Sequence, residues 1–303
     1  MTTDILEGDR GRFVLGDNLA VLESLPNESI DLIYIDPPFN TGKRQTLHRL
    51  QTIRDEANGD RVGFQGKRYR TVKLSAQSYV DIHDDYLDFL EPRLAEMQRV
   101  LKASGTLYFH IDYREVHYCK VLLDGIFGRD AFLNEVIWAY DYGARTNKKW
   151  PAKHDNILVY AKDPTRYFFD AEAVERIPYM APGLVGPEKA ARGKLPTDTW
   201  WHTIVPPGGK ERTGYPNQKP LGILRRIVQA SSPAGGIVAD FFAGSGTAGV
   251  AASEEGRRFL LVDNNPEAID VMAARFAPIT GVTSVTWPTS DSEAPSEAVP
   301  ATA

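Results

Sequence analysis

The apolar run from Leu32 to Ile35 stops against Asp36-Pro37-Pro38-Phe39, and that junction constrains the fold more than any other stretch. The β-branched and aromatic residues of Ile30-Asp31-Leu32-Ile33-Tyr34-Ile35 fit a buried strand. Two prolines in a row cannot continue a ladder, because each lacks the N–H that pairing needs. The chain therefore leaves the sheet at Asp36. In an open α/β sheet, ligands bind beyond the carboxyl ends of strands, so Asp36 stands where a reacting group would sit. The alternative is a plain strand-ending turn capped by aspartate.

A second landmark lies two hundred residues on. Val238-Ala239-Asp240-Phe241-Phe242-Ala243-Gly244-Ser245-Gly246-Thr247-Ala248-Gly249 reads as strand, glycine turn and helix. There backbone amides and a helix N-terminus face a bound ligand. The glycines spell G-x-G-x-x-G, which alone is weak evidence for a dinucleotide fold. No Lys-Ser/Thr pair follows, which disfavours a phosphate loop of the Walker type. Asp263 ends the next strand, where a carboxylate can bond both hydroxyls of a ribose. Asp240 can orient the turn or meet a ligand's ammonium group. A nicotinamide fold needs about 100 further residues of strand and helix after such a turn, and only a strand, a helix and a tail remain. The missing strands must precede the turn, in permuted order, which disfavours a dehydrogenase.

The chain order supports this layout. Phe13-Val14-Leu15 is a strand candidate ending at Gly16-Asp17-Asn18, and Leu19, Val21, Leu22 and Leu25 repeat at helical spacing. Strand–helix–strand is the grammar of a parallel sheet. Helices are predicted over residues 81–101, with Pro92 as a candidate kink, over 115–127, over 220–230 and over 266–276. Strands are predicted at 105–111, 135–140, 156–160, 236–240 and 259–262, with 167–170 as an extension of the last hairpin. Residues 41–78 and 171–216 show no clean periodicity, and the second of these reads as an irregular insertion. It carries Trp200 and Trp201, either a base platform or core of the insertion. The tail from residue 288 has no core-forming residues and reads as disordered.

Composition bounds the partners. No run of about 18 apolar residues exists to span a membrane, and Met1 to Glu7 lacks the regions of a signal peptide. Cys119 is the single cysteine, so no internal disulfide forms and no zinc cluster is visible. These features predict a soluble cytoplasmic protein without a structural metal. The net charge of −5 argues against wholesale coating of nucleic acid. Yet Lys43, Arg44, Arg49, Arg54, Arg61, Lys67, Arg68, Arg70 and Lys73 face only Asp55, Glu56 and Asp60 in the segment after Phe39. A basic stretch beside a candidate site suits DNA; a solvated loop is the alternative.

Asp36-Pro37-Pro38-Phe39 together with Asp240-Phe241-Phe242-Ala243-Gly244-Ser245-Gly246-Thr247 resembles the signature of amino-methylating DNA methyltransferases that use S-adenosylmethionine. The catalytic motif precedes the cofactor motif, as in the β-group. Gly16-Asp17-Asn18, Thr106 to Asp112, His154 to Lys162 and Pro216-Asn217-Gln218-Lys219-Pro220 are similar to further family blocks, over residues 12–276. Asn217 departs from the family, where Thr is common before Gln-Lys-Pro. Ile35 to Gly42 further resembles the modification subunits of type III restriction systems, which are much longer.

The resemblance implies a mostly parallel, seven-stranded Rossmann-like α/β sheet with circularly permuted motif order and an irregular insertion. Residues 1–164 would be the catalytic half, with the basic DNA-contact segment 41–78. Residues 165–215 would be the target-recognition insertion, with 41–75 as its rival, 216–287 the cofactor half and 288–303 a disordered tail. Asp36, Pro37, Pro38 and Phe39 would be catalytic. Asp36 and the Pro37 carbonyl would accept the two hydrogens of an exocyclic amino group, localising its lone pair, and the carboxylate would stabilise the charge that develops. Pro38 would stiffen the loop and Phe39 stack on a flipped base. The cofactor pocket would comprise Asp17, Lys219, Pro220, Asp240, Phe241, Phe242, Ala243, Gly244, Ser245, Gly246, Thr247, Asp263 and Asn264. Asp17 has equal claim as a strand-end cap. Lys43, Arg44, Lys67, Arg68, Arg70, Arg145, Lys148 and Lys149 would meet DNA phosphates. His110 and His154 read as structural rather than catalytic. Aspartate at the head of the motif favours adenine-N6 over cytosine-N4 by family tendency; RNA or a protein glutamine amide is a further alternative. Duplex DNA is the implied partner, with a homodimer and a cognate restriction enzyme as candidates.

Overall fold

The computed structural model describes residues 6, 10–38, 86–143 and 145–288, and the backbone of strands within 43–54, 61–62 and 68–81. In chain order the elements are β1 (Gly11–Leu15), α1 (Asn18–Ser24), β2 (Ile30–Ile35), β3 (Lys43–Arg54), β4 (Arg61–Val62), β5 (Arg68–Asp81), α2 (Tyr86–Val100), β6 (Leu101–Ile111) and α3 (Val116–Phe127). Then come β7 (Phe132–Ala139), β8 (His154–Ala161), α4 (Pro187–Arg192), β9 (Thr199–Trp201), α5 (Leu221–Ser231), β10 (Ile237–Asp240), α6 (Thr247–Glu254), β11 (Arg258–Asp263), α7 (Pro266–Phe276) and β12 (Val282–Thr286).

The chain divides into two units, residues 1–37 with 87–303, and residues 38–86. In the first, nine strands form one sheet in the order β12-β1-β11-β10-β2-β6-β8-β7-β9. Only the pairings of β8 with β6 and β7 are antiparallel. The mostly parallel α/β sheet is as expected, with nine strands rather than seven. Short β12 and β9 extend its two edges. In the smaller unit, β3 and β5 form a long antiparallel pair and β4 joins β5. That hairpin occupies a stretch in which no periodicity is legible.

β2 is buried at all six positions, as a strand covered on both faces must be. Its even residues Leu32 and Tyr34 join a core with α5, α6 and α7 through Ile223, Leu224, Ala251, Met272 and Phe276. Ile33 and Ile35 point the other way and are fully buried, as are Leu22 of α1 and Leu90, Leu94 and Met97 of α2. The chain moves one way from β1 to β2 and the opposite way from β10 to β11. The order therefore reverses between β10 and β2, which pair in parallel through Val238↔Leu32. A crevice at the carboxyl ends of such a pair is where open α/β sheets bind ligands.

The insertion is less irregular than expected. An isolated bridge joins Ile177 to Lys194, and β9 pairs in parallel with β7. The predicted strand at 167–170 is absent. The predicted tail falls outside the described residues from 289 onward. No described helix is long and apolar enough to cross a membrane.

Candidate active site

Asp36 leaves β2 at the crevice, and Lys219 reaches it from the turn before α5. Lys219 Nζ donates to Asp36 Oδ2 across 183 residues of sequence. The two side chains are 11% and 18% exposed. Asp36 Oδ1 is buried and accepts no hydrogen bond from the described residues. Desolvating a carboxylate oxygen without a donor is costly, so an oxygen left in this state suits a donor brought by a ligand. Pro37 is buried and Pro38 half-buried; Phe39 lies outside the described residues.

The glycine turn links β10 to α6. Gly244 and Gly246 adopt φ of +50° and +74°, where L side chains are strained. A Cβ on Gly246 would come within 2.8 Å of Met272 Cγ, and one on Gly249 within 2.7 Å of Leu261 Cδ1. Close packing therefore accounts for two of these glycines. Asp263 holds the loop from the next strand: Gly244 N donates to its Oδ2 at 2.7 Å and Asn265 N to its Oδ1 at 2.9 Å. Phe242 N donates to Asp240 Oδ1 at 3.0 Å, so Asp240 does orient the turn. Arg275 Nη1 donates to Ser245 O at 2.9 Å and to Thr247 Oγ1 at 3.1 Å. Phe241 is buried, and Asn18 Nδ2 donates to its carbonyl at 2.8 Å. Ala243 and Pro220 are buried, while Asn264 is exposed.

Asp17 has a demonstrable structural role. It caps α1 by accepting from Leu19 N and Ala20 N at 3.0 and 3.3 Å, and it pairs with Arg93 at 3.1 Å. Trp200 and Trp201 part ways: Trp200 is buried, with Nε1 donating to Thr197 O at 2.7 Å, while Trp201 is exposed. Asn217 sits at φ +53°, a region asparagine tolerates far better than β-branched threonine. That is a physical reason for the departure at this position.

Charge is concentrated at the crevice. Burial, then the nearby Asp36 and Asp263, push the Asp240 carboxyl well above the usual range, against lowering by Phe242 N and Lys219. Burial likewise raises Asp263, against the backbone amides of Asn265, Gly244 and Asn264. A polar row continues along the strand ends. Tyr34 OH bonds His110 Nδ1 at 2.8 Å, His110 Nε2 meets Asp155 Oδ2 at 3.2 Å, and Tyr140 OH donates to Asp155 Oδ1 at 3.0 Å. Burial opposes the charged form of Asp155, yet His110, Lys219 and Tyr140 hold its carboxyl below the usual range. Lys219 is thus placed among Asp36, Asp155 and Asp240. The surplus of carboxylates suits a ligand that carries positive charge.

Sequence reasoning did not single out Arg93, Arg275, Tyr215 or Asp155. Tyr215 lies 3.1 Å from where a Gly244 Cβ would be, and its hydroxyl accepts from Asn265 at 3.3 Å. Aromatic or charged residues in irregular segments carry no periodic signal. Asp155 sits in the His154 to Lys162 block and could have been found there. Of the basic residues proposed for DNA, Arg145, Lys148 and Lys149 are exposed between β7 and β8. Lys43 and Arg44 lie on β3, and Arg68 and Arg70 on β5, with side chains outside the described set; Lys67 is outside it altogether. Among the described residues, no group of three or more His, Cys, Asp or Glu is placed to hold a metal ion.

The fold matches that of the PvuII DNA methyltransferase (cytosine-N4-specific), with a TM-score of 0.59 and 15% identity over 89% of this chain and 86% of that one. It also matches a DNA modification methylase of Thermus thermophilus, TTHA0409, described as putative and solved with S-adenosyl-L-methionine, with a TM-score of 0.57 and 20% identity over 92% and 99%. The α/β, mostly parallel fold is therefore one it shares with these methyltransferase structures. The chain is 30% identical over 262 residues to the DNA adenine methyltransferase YhdJ of Escherichia coli K12, covering 84% of this chain and 78% of that protein. A family model described as DNA methylase, of the N6/N4 methyltransferases, matches residues 30–275; the chain belongs to that family.

Proposed function

We propose that this protein transfers a methyl group from S-adenosylmethionine to the N6 amino group of adenine in duplex DNA. The buried Asp36 Oδ1, without a donor among the described residues at the β2–β10 crevice, carries the reading. The similarity to an adenine methyltransferase supports the choice of base.

The residues suit both ligands. The bound donor supplies an electrophilic methyl on a sulfonium. Its ammonium group is assigned to Asp240, whose buried carboxyl is raised above the usual range in the presence of Asp36 and Asp263. Asp36 Oδ1 accepts one hydrogen of the base's amino group, and the Pro37 carbonyl accepts the other. Lys219 holds Oδ2 and so fixes the direction in which Oδ1 points. The carboxylate stabilises positive charge as it develops on nitrogen, a preorganised electrostatic effect of about 10²–10³ in rate. The target base leaves the helix to reach the crevice. Lys43, Arg44, Lys67, Arg68, Arg70, Arg145, Lys148 and Lys149 are assigned to the phosphates. Phe39 is assigned to the face of the base. Residues 165–215 are assigned to target recognition.

Purified protein, labelled S-adenosylmethionine and unmethylated duplex DNA test this. N6-methyladenine is expected among the digested nucleosides. Asp36→Asn should lower kcat by about 10²–10³ while donor binding, read by calorimetry, is retained. Recovery of N4-methylcytosine would replace adenine by cytosine, the reading that the fold of the cytosine-N4 enzyme keeps open. Full turnover by Asp36→Asn would overturn the mechanism.

A further inference from the structure

Exposed aromatic side chains line the edge of the sheet that carries Asp36. β6 and β2 are parallel, β7 regains that direction through two antiparallel steps at β8, and β9 is parallel to β7. Their carboxyl ends therefore share one edge. Tyr113 follows β6, Tyr142 follows β7 and Trp201 ends β9; they are 42%, 59% and 79% exposed. Trp150, on the return to β8, is 94% exposed. A tryptophan is ordinarily largely buried, and the two most exposed among the described residues both lie here.

The segment bearing Trp150 is anchored at its base. Tyr140 N donates to Lys153 O at 2.9 Å, and His202 N, just past Trp201, donates to Ala139 O at 3.1 Å. Exposed Arg145, Lys148 and Lys149 flank Trp150, in a chain of net charge −5. Lysine is depleted at the cores of protein interfaces, whereas cations around an aromatic suit bases and phosphates. β2 and β7 are separated by β6 and β8, three strand spacings or about 14 Å. That is close to the width of a B-DNA major groove, roughly 12 Å.

We infer that Trp150 enters the duplex where the target base has been extruded and stacks on the neighbouring bases, while Arg145, Lys148 and Lys149 hold the flanking phosphates. The inference rests on the proposed DNA methylation and names the group that stabilises its extruded state. Trp150 touches no part of the Asp36 crevice in this role, so its loss acts on extrusion and leaves the chemical step alone.

The test uses wild type, Trp150→Ala and Trp150→Phe with a short duplex carrying the sequence that wild type binds. The target base is replaced by 2-aminopurine, whose fluorescence rises on unstacking. Wild type and Trp150→Phe should raise the signal without any methyl donor, and Trp150→Ala should not. On the natural duplex, Trp150→Ala should lose about ten- to a hundredfold in kcat/KM. Placing an abasic position opposite the target should restore most of that loss. An unchanged signal and rate in Trp150→Ala, or a loss equally large on both duplexes, would overturn the inference. Wild type that unstacks 2-aminopurine but transfers no methyl would instead overturn the proposed reaction and leave the wedge standing.

Discussion

Replacing Lys219 by methionine tests the ion pair on which the site is built. Lys219 and Asp36 are 11% and 18% exposed, so water screens them little. Removing one partner of a buried pair leaves an uncompensated charge and costs about 3–5 kcal/mol. Residual exposure trims this toward the lower end, about 3 kcal/mol. Asp240 also loses a cation that counters its own burial and the field of Asp36. For a domain of this size, 3 kcal/mol corresponds to roughly 6–12 °C in Tm. Urea unfolding of wild type, Lys219→Met, Asp36→Asn and the double variant closes a thermodynamic cycle. The double variant removes both charges and should recover more than half of the loss, with a coupling energy above about 1 kcal/mol. A Lys219→Met loss below about 1 kcal/mol, or a double variant equal to the sum of the singles, would refute the reasoning. The pair would then be a surface contact that orients nothing.

Gly246→Ala forces an L residue to φ +74° with its Cβ 2.8 Å from Met272 Cγ; a loss of about 2 kcal/mol is expected, read by thermal unfolding. Gly256→Ala, at φ +70° with open space around it, should cost clearly less, and equal losses would remove packing from the account. Asp240 binds its proton more tightly folded than unfolded, because burial raises its carboxyl. Its contribution therefore falls as pH rises above the unfolded carboxylate value of about 3.9. Asp240→Asn should flatten the decline of stability between that pH and neutrality; an unchanged slope counts against the burial argument.

The central strands were legible because burial on both faces writes itself as continuous apolar sequence, as in β2 and at Phe259 to Val262. The glycine turn was legible because positive φ restricts the residue type. β9 has three residues, too few for any period. β12 is a half-exposed edge strand with two valines. In β3 the apolar Leu47, Leu50 and Ile53 recur every third residue, so the alternation expected of a strand is missing. Asp263 shows what position alone leaves out: besides the expected place at a strand end, both its oxygens accept from backbone amides of the loops around it.

By itself the sequence determined the local chemistry: a strand that must end at Asp36, a turn that must contain Gly244 and Gly246, and a helix starting after Pro220. Those are constraints of backbone dihedrals, missing donors and short-range periodicity, all expressed within a few residues. Only the tertiary structure decided that Lys219 takes one oxygen of Asp36 and leaves the other without a donor among the described residues. β2 and β10 are neighbours because the sheet reverses its order between them. A contact closed across 183 residues depends on strand order and buried charge balance, and no local pattern encodes either.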